Sequence, residues 1–459
     1  MLYLLLASLA FIFLAQKRLD LAVLLIVAST PLYLWRGNLT NLPLTFLEIM
    51  ILTAFAIWLL KDGPHFKTIL KKDKQRTPYP FRWEIIAVLL VSFSGLIVAQ
   101  ISPAALGIWK AYFFEPLLLF ILIINLFSNP AGRKKIIGAL AISALVISLF
   151  AIFQQLSGLF IDNPFWQAAA TRRATSFFPY PNAVGLFLGP LIPIFLGQLI
   201  NYWPSRSWTW KLFYLLTITL SLAAIIAARS EGALAGLIVG LGIFALLINK
   251  KVRLIAIVSG ILLALTIWLT PPLKEFTLNK IFLKDLSGQI RRQQWQETIA
   301  MLKDGRLITG AGISSYQKTV APYHQDGIWI KTDDPNWLHN IMFTPGYREK
   351  MWQPTEIYLY PHNIVLNFWS ELGILGALLF IWIIAKAMTM AEKVSRDKND
   401  SEHHLALGLL GALIVLTVHG LVDVPYFKND LAALFWIYLA LIGSLNLKSN
   451  EKNLTKGNR

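Results

Sequence analysis

The chain has 459 residues, of which 56% are hydrophobic and 15% charged, with a net charge of +17 and no cysteine. These proportions exclude a single soluble domain, and the lack of cysteine excludes a disulfide framework, a thiolate nucleophile and a sulfur-ligated zinc site. The basic excess is spread over several short segments rather than gathered on one surface, which argues against a nucleic-acid partner.

A hydrocarbon core about 30 Å thick takes roughly 20 apolar residues per helix. The opening apolar runs, 2–15 and 21–34, flank Lys17, Arg18 and Asp20 and read as two short spans or as one kinked hairpin. The first run resembles the apolar stretch of a signal peptide, but no basic residues precede it and more spans follow, so it reads as an uncleaved helix. Further spans are predicted near 44–60, 85–100, 106–126, 136–156, 183–199, 212–228, 232–248, 254–270, 364–384, 405–420 and 431–447. The predicted fold is all-α, a polytopic transmembrane helical bundle of 12–13 spans with one large, mainly helical extracytoplasmic loop.

Short cytoplasmic loops carry the excess of Lys and Arg. One such loop holds Lys61, Lys67, Lys71, Lys72, Lys74, Arg76 and Arg82, another Arg133, Lys134 and Lys135, and a third Lys250, Lys251 and Arg253, with Lys448, Lys452, Lys456 and Arg459 in the tail. Placing all of these in the cytoplasm is self-consistent and sends 271–361 to the opposite side. That segment carries eleven Lys or Arg against nine Asp or Glu, a balance open to a folded loop exempt from the charge rule. The predicted organisation is N-terminal helices (1–135), central helices (136–270), the external loop (271–361), C-terminal helices (362–447) and a cytoplasmic tail (448–459).

A loop of about ninety residues needs internal structure. Ile290, Trp295, Ile299 and Leu302 recur at helical intervals, predicting an amphipathic helix at the membrane surface. Gly310-Ala311-Gly312 then predicts a tight reversal, and 329–352, rich in Asp, Asn, Tyr and Pro, predicts an irregular stretch lining or covering a cavity. Its aromatic residues suit either sugar stacking or seating at the interface.

With no cysteine, chemistry falls to His, Arg, carboxylates and hydroxyls. The seven histidines show no metal-ligand spacing, and no nucleotide-binding loop is present, so neither metal nor cofactor is expected. His403 and His404, beside Glu402, read as a solvated helix start. His362 stands at the external mouth of a span, followed by Asn363, Glu371, Gly373 and Gly376. An ionisable group there either faces a cavity and does chemistry or caps and anchors the helix. Gly373 and Gly376 read as close helix packing.

The run His362-Asn363, Leu366, Glu371, Gly373, Gly376 resembles the pattern of the O-antigen ligase and Wzy-type polymerase superfamily, in which His-Asn opens the helix after the large loop. Arg172-Arg173-Ala174-Thr175-Ser176-Phe177 with Pro181-Asn182-Ala183 resembles its upstream Arg-x-x-Gly-Thr-Phe and Pro-Asn elements, with Thr175 where Gly is usual and Ser176 where Thr is. Arg291 or Arg292 with Trp295 and Gly310-Ala311-Gly312 resembles the loop helix, and His419-Gly420-Leu421-Val422-Asp423 the closing motif. One departure concerns Ala228-Arg229-Ser230-Glu231-Gly232-Ala233, which puts Glu231 where the family's Ser-Arg-Gly-Ala carries Arg.

The resemblance implies an enzyme of the bacterial cytoplasmic membrane that moves a glycan from a polyprenyl-pyrophosphate donor to a lipid, glycan or protein acceptor, without metal or nucleotide sugar. By position it makes His362 the base, Arg229 with Arg291 or Arg292 the pyrophosphate clamps, and Arg172 and Arg173 secondary cations, with Asn363, Glu371 and Asp423 in support. Arg291 and Arg292 lie about 100° apart on a helix, so one of them faces the site. Ligase and polymerase stay open alternatives. A transporter of lipid or polysaccharide is the reading from another class, ranked lower because the polar candidates cluster at external ends and no internal repeat is seen; a non-catalytic scaffold leaves the His and Arg pattern unexplained.

Overall fold

The structure, a computed structural model, describes residues 2–39, 42–70, 79–203, 208–332 and 334–457. The apolar opening runs form α1 (Leu2–Lys17) and α2 (Leu19–Ala28). The chain breaks at Arg18, which pairs with Asp20 at 3.0 Å, so the segment is a helical hairpin. A short antiparallel ladder of β1 (Arg36–Leu39) and β2 (Leu42–Thr45) leads to α3 (Phe46–Leu70) and α4 (Arg82–Val98). Then follow α5 (Pro103–Phe127), α6 (Pro130–Ser157), α7 (Asn182–Asn201), α8 (Trp208–Ala227), α9 (Glu231–Ile248) and α10 (Lys250–Leu269). The loop contributes α11 (Pro271–Ile281) and α12 (Leu286–Met301), and the chain closes with α13 (Ile364–Arg396), α14 (His403–Gly420) and α15 (Asn429–Gly457). Among the described residues nine helices, α5 to α10 and α13 to α15, are long and apolar enough to cross a membrane. The protein is an all-α polytopic membrane protein; the spans predicted near 44–60 and 85–100 fall on α3 and α4.

Small residues let the central helices approach. Gly197 of α7 and Gly408 of α14 each face the other helix's backbone, and Gly236 and Gly240 of α9 sit against Val415. α7, α14 and the apolar part of α15 are therefore largely buried, whereas no part of α10 is buried and its Leu254, Ile255, Ile261 and Leu262 point outward as a lipid-facing helix does.

Helix alternation sorts the polar residues into two ends. At one, Lys61 Nζ donates to the Gln16 carbonyl, and Arg133 is buried in an ion pair with Glu402. Of the basic residues used for orientation, Lys71, Lys72, Lys74, Arg76 and Arg459 lie outside the described residues, as do the side chains of Lys67, Lys448, Lys452 and Lys456. The other end carries 158–181, the α8–α9 turn, the long loop and the α14–α15 turn.

The loop forms its expected helix and departs from one other expectation. α12 forms as predicted, yet the face it buries is polar, with Gln293, Gln294, Glu297 and Thr298 inward and Ile299 exposed. These groups bond to neighbouring polar segments. The stretch 329–352 is not irregular throughout. Trp329 pairs across an antiparallel ladder with Trp352, as β3 (Gly327–Trp329) meets β4 (Trp352–Pro354), and the short helices Trp337–Phe343 and Tyr347–Met351 lie between.

Gly310 and Gly312 adopt φ of +67° and +88°, as the expected reversal requires. The reversal docks into a break in α13 at Gly373, φ +73° and ψ −177°, where a Cβ would collide with the Ile308 carbonyl oxygen. Ala311 N donates to Ser370 O at 2.6 Å and Ser314 N to Glu371 Oε2 at 2.7 Å. Gly373 thus admits loop backbone rather than a neighbouring helix.

Candidate active site

α13 begins with a cap: Asn363 Oδ1 accepts from the N–H groups of Val365 and Leu366, both at 3.0 Å, while its Nδ2 donates to Leu421 O at 3.1 Å. Asn363 therefore fastens the helix start to the α14–α15 turn. His362, immediately before it, has φ +46°, an uncommon conformation for a residue with a side chain.

Residues 291, 294, 295 and 298 share one face of α12. Arg291 Nε donates to Val422 O at 2.9 Å, Trp295 Nε1 to Pro361 O at 2.9 Å, and Thr298 pairs with the Tyr316 hydroxyl at 2.8 Å. Gln294 Oε1 lies 2.9 Å from His362 Nδ1. A carboxamide oxygen only accepts, so this contact puts the imidazole proton on Nδ1 and leaves the Nε2 lone pair free. Tyr358 and Tyr360 present their rings edge-on to His362, each with centroids 5.1 Å away. Burial holds the imidazole below its ordinary pKa; Asp423 pulls it up and Arg291 pushes it down.

The second half of the site comes from 158–181 and the α8–α9 turn. Gln154, near the end of α6, accepts from Thr175 N at 3.0 Å and Ser176 N at 2.6 Å, fixing the turn after the two arginines. Arg173 Nε donates to Ala228 O at 2.9 Å, and its Nη2 donates to Asn182 Oδ1 at 2.8 Å and to Arg229 O at 3.3 Å. Asn182 Nδ2 donates in turn to Asp423 Oδ2 at 3.2 Å. Burial lowers the Arg173 pKa, Glu231 opposes that, and the charges of Arg229 and Arg291 lower it further. Arg173, Arg229 and Arg291 thus share one electrostatic neighbourhood.

Arg172 and Arg292 are not brought in. Arg172 turns back to the carbonyls of Gln167 and Gln155 at 3.1 and 3.2 Å and packs on Gly158, while Arg292 is exposed on another face of α12. Arg229, exposed and with φ +50°, sits in the α8–α9 turn. Glu231, standing where the family shows Arg, pairs with Lys280 of α11 at 2.6 Å, and Lys280 also reaches Asp285 at 2.8 Å. Glu371 is buried and holds the loop through Ser314 rather than reaching His362. His419 is buried with its ring against Gly232.

The O-antigen ligase family model matches residues 216–381, the stretch from α8 into α13 that carries Arg229, Arg291 and His362. Residues 216–381 thus match an O-antigen ligase domain. Arg173 and Asp423 lie outside the matched stretch; Arg173 is joined to it by its bond to Arg229 O, and Asp423 is linked to Arg173 through Asn182. No curated protein matches the chain.

Sequence reasoning missed Gln294, Gln154 and Lys280. Gln294 carried a usable signal, being three residues after Arg291 on the helix; Gln154 and Lys280 gave none, since their partners are remote in sequence.

Proposed function

We propose that the protein transfers a glycan from a polyprenyl-pyrophosphate donor to an acceptor hydroxyl at the external face of the bacterial cytoplasmic membrane. The acceptor oxygen bonds to the anomeric carbon, the bond from that carbon to the phosphate oxygen breaks, and its electron pair leaves with the pyrophosphate. His362 Nε2 takes the hydroxyl proton. Arg291, Arg173 and Arg229 receive the charge that builds on the leaving group, a task that suits guanidinium forks. Asp423 stabilises the imidazolium that forms, Gln294 holds the ring in place, and Asn363 fixes the helix start beside it.

The supporting observation is the convergence at one end of the bundle of a histidine with a free Nε2 and of Arg173 with the charges of Arg229 and Arg291 close enough to act on it. Ligation and repeat-unit polymerisation share this chemistry and differ in the acceptor. The test is transfer by purified protein in lipid, with labelled polyprenyl-linked glycan and envelope lipids from the source cell and a chelator in place of metal. Released polyprenyl pyrophosphate with one labelled adduct supports ligation, and a ladder of repeats supports polymerisation. Movement of the intact donor across the bilayer without transfer replaces the proposal with transport.

A further inference from the structure

A separate cavity of about 430 Å³ lies beside the site, between the bundle end and the loop. That size falls in the range of about 300–1,000 Å³ typical of small-molecule sites. Its wall carries Tyr33, Tyr112, Tyr180, Tyr316 and Tyr360, together with Asn367, Gln317 and Lys428. Arg36 and Glu371 also line it, and aromatic faces interleaved with carboxamides and charged groups suit sugar rings, which offer an apolar face and a rim of hydroxyls, better than they suit a lipid tail.

Among the described residues, two polar groups of this wall have no hydrogen-bond partner. Asn367 is 1% exposed and its Oδ1 accepts nothing; Lys428 Nζ is buried and donates to nothing, lying 3.6 Å over the Tyr180 ring. A buried unsatisfied group costs about 1–3 kcal/mol, so two on one wall point to an occupant that pairs with them. Burial lowers the Lys428 pKa to about 8 while Asp430 and Asp423 hold it up, so at neutral pH the group is mostly an ammonium.

Position selects the substrate. The Tyr180 and Tyr360 hydroxyls meet at 2.9 Å, and the Tyr360 ring abuts His362. Arg173, Arg229 and Arg291 are not part of the cavity wall. The cavity therefore adjoins the base and stands apart from the cations assigned to the leaving group. We propose that it binds the saccharide of the acceptor, with Lys428 and Asn367 bonding to sugar hydroxyls and Tyr180 and Tyr360 forming the threshold to His362. This assignment rests on the transfer reading above.

The experiment uses the full chain in nanodiscs and compares wild type with Lys428→Met and Asn367→Ala. Acceptor KM rises about tenfold or more in each variant, while donor KM and kcat at saturating acceptor stay within about twofold. Calorimetry with the lipid-free saccharide released from the acceptor reads binding without turnover: wild type binds, and both variants bind at least tenfold more weakly. A variant that misfolds is recognised by its thermal midpoint, and the other decides. A rise in donor KM instead, or equal binding by wild type and variants, overturns the proposal. Binding that is lost in the variants while wild type transfers nothing keeps the cavity assignment and removes the transfer reading.

Discussion

Replacing His362 with Ala removes the proposed base while leaving the Asn363 cap and the Trp295 bond to Pro361 O in place. A positioned general base contributes about 10²–10⁴-fold, so kcat falls by that factor, about 3–5 kcal/mol of barrier. Gln294→Ala keeps the imidazole but loses its 2.9 Å contact at Nδ1. One neutral hydrogen bond is worth about 0.5–1.5 kcal/mol, so this variant loses only about 2- to 12-fold. The base must be neutral, and burial holds the imidazole below its ordinary value, about 6.5. Activity therefore rises with pH to a plateau, with the midpoint below about 6.5. The assay is single-turnover transfer in nanodiscs at saturating donor and acceptor between pH 5 and 8. An activity of His362→Ala within about tenfold of wild type, or an acid limb that survives in that variant, refutes the assignment.

Arg291→Ala reduces transfer about 10²-fold, the usual cost of losing one preorganised donor, whereas Arg292→Ala stays within about threefold because its side chain is exposed on another face; steady-state kinetics separates the two. Charge changes beside His362 move the acid limb in opposite directions: Arg291→Gln removes a charge that disfavours the imidazolium and raises the midpoint, while Asp423→Asn removes one that favours it and lowers the midpoint, read from pH profiles of residual activity. Gly373→Ala meets both a backbone conformation reserved for glycine and the Ile308 carbonyl; the strain alone is about 1–3 kcal/mol, so the thermal midpoint falls well below wild type or the variant fails to fold.

The bundle was legible because each span is an apolar run bounded by charge or by Gly and Pro, and lipid imposes that pattern on any crossing helix. His362, Asn363 and Arg291 were legible as members of ordered motifs. The choice of Arg291 over Arg292 was not, because their 100° separation says one faces inward without saying which; the bond to Val422 O, far along the chain, decides it. Arg173 and Arg172 present the same problem, resolved by the carbonyls of Ala228 and Arg229 on one side and of Gln155 and Gln167 on the other. The tyrosine cavity left no local signature, since its wall is drawn from seven separate stretches between Tyr33 and Asn429.

The arginines themselves show why this end of the bundle suits an anion. At the opposite end Arg133 is buried against the Glu402 carboxylate, which neutralises it and makes the pair a structural fastening. Arg173 and Arg291 are instead held by backbone carbonyls, a hydroxyl and a carboxamide. Such partners orient a guanidinium without cancelling its charge. Glu231, the carboxylate best placed to quench the cluster, is drawn off by Lys280. Cations oriented by neutral groups and crowded together repel one another, which destabilises the empty site and favours whatever anion relieves the repulsion. A leaving pyrophosphate gains charge as the glycosidic bond breaks, so that relief is larger in the transition state than in the bound donor, as catalysis requires.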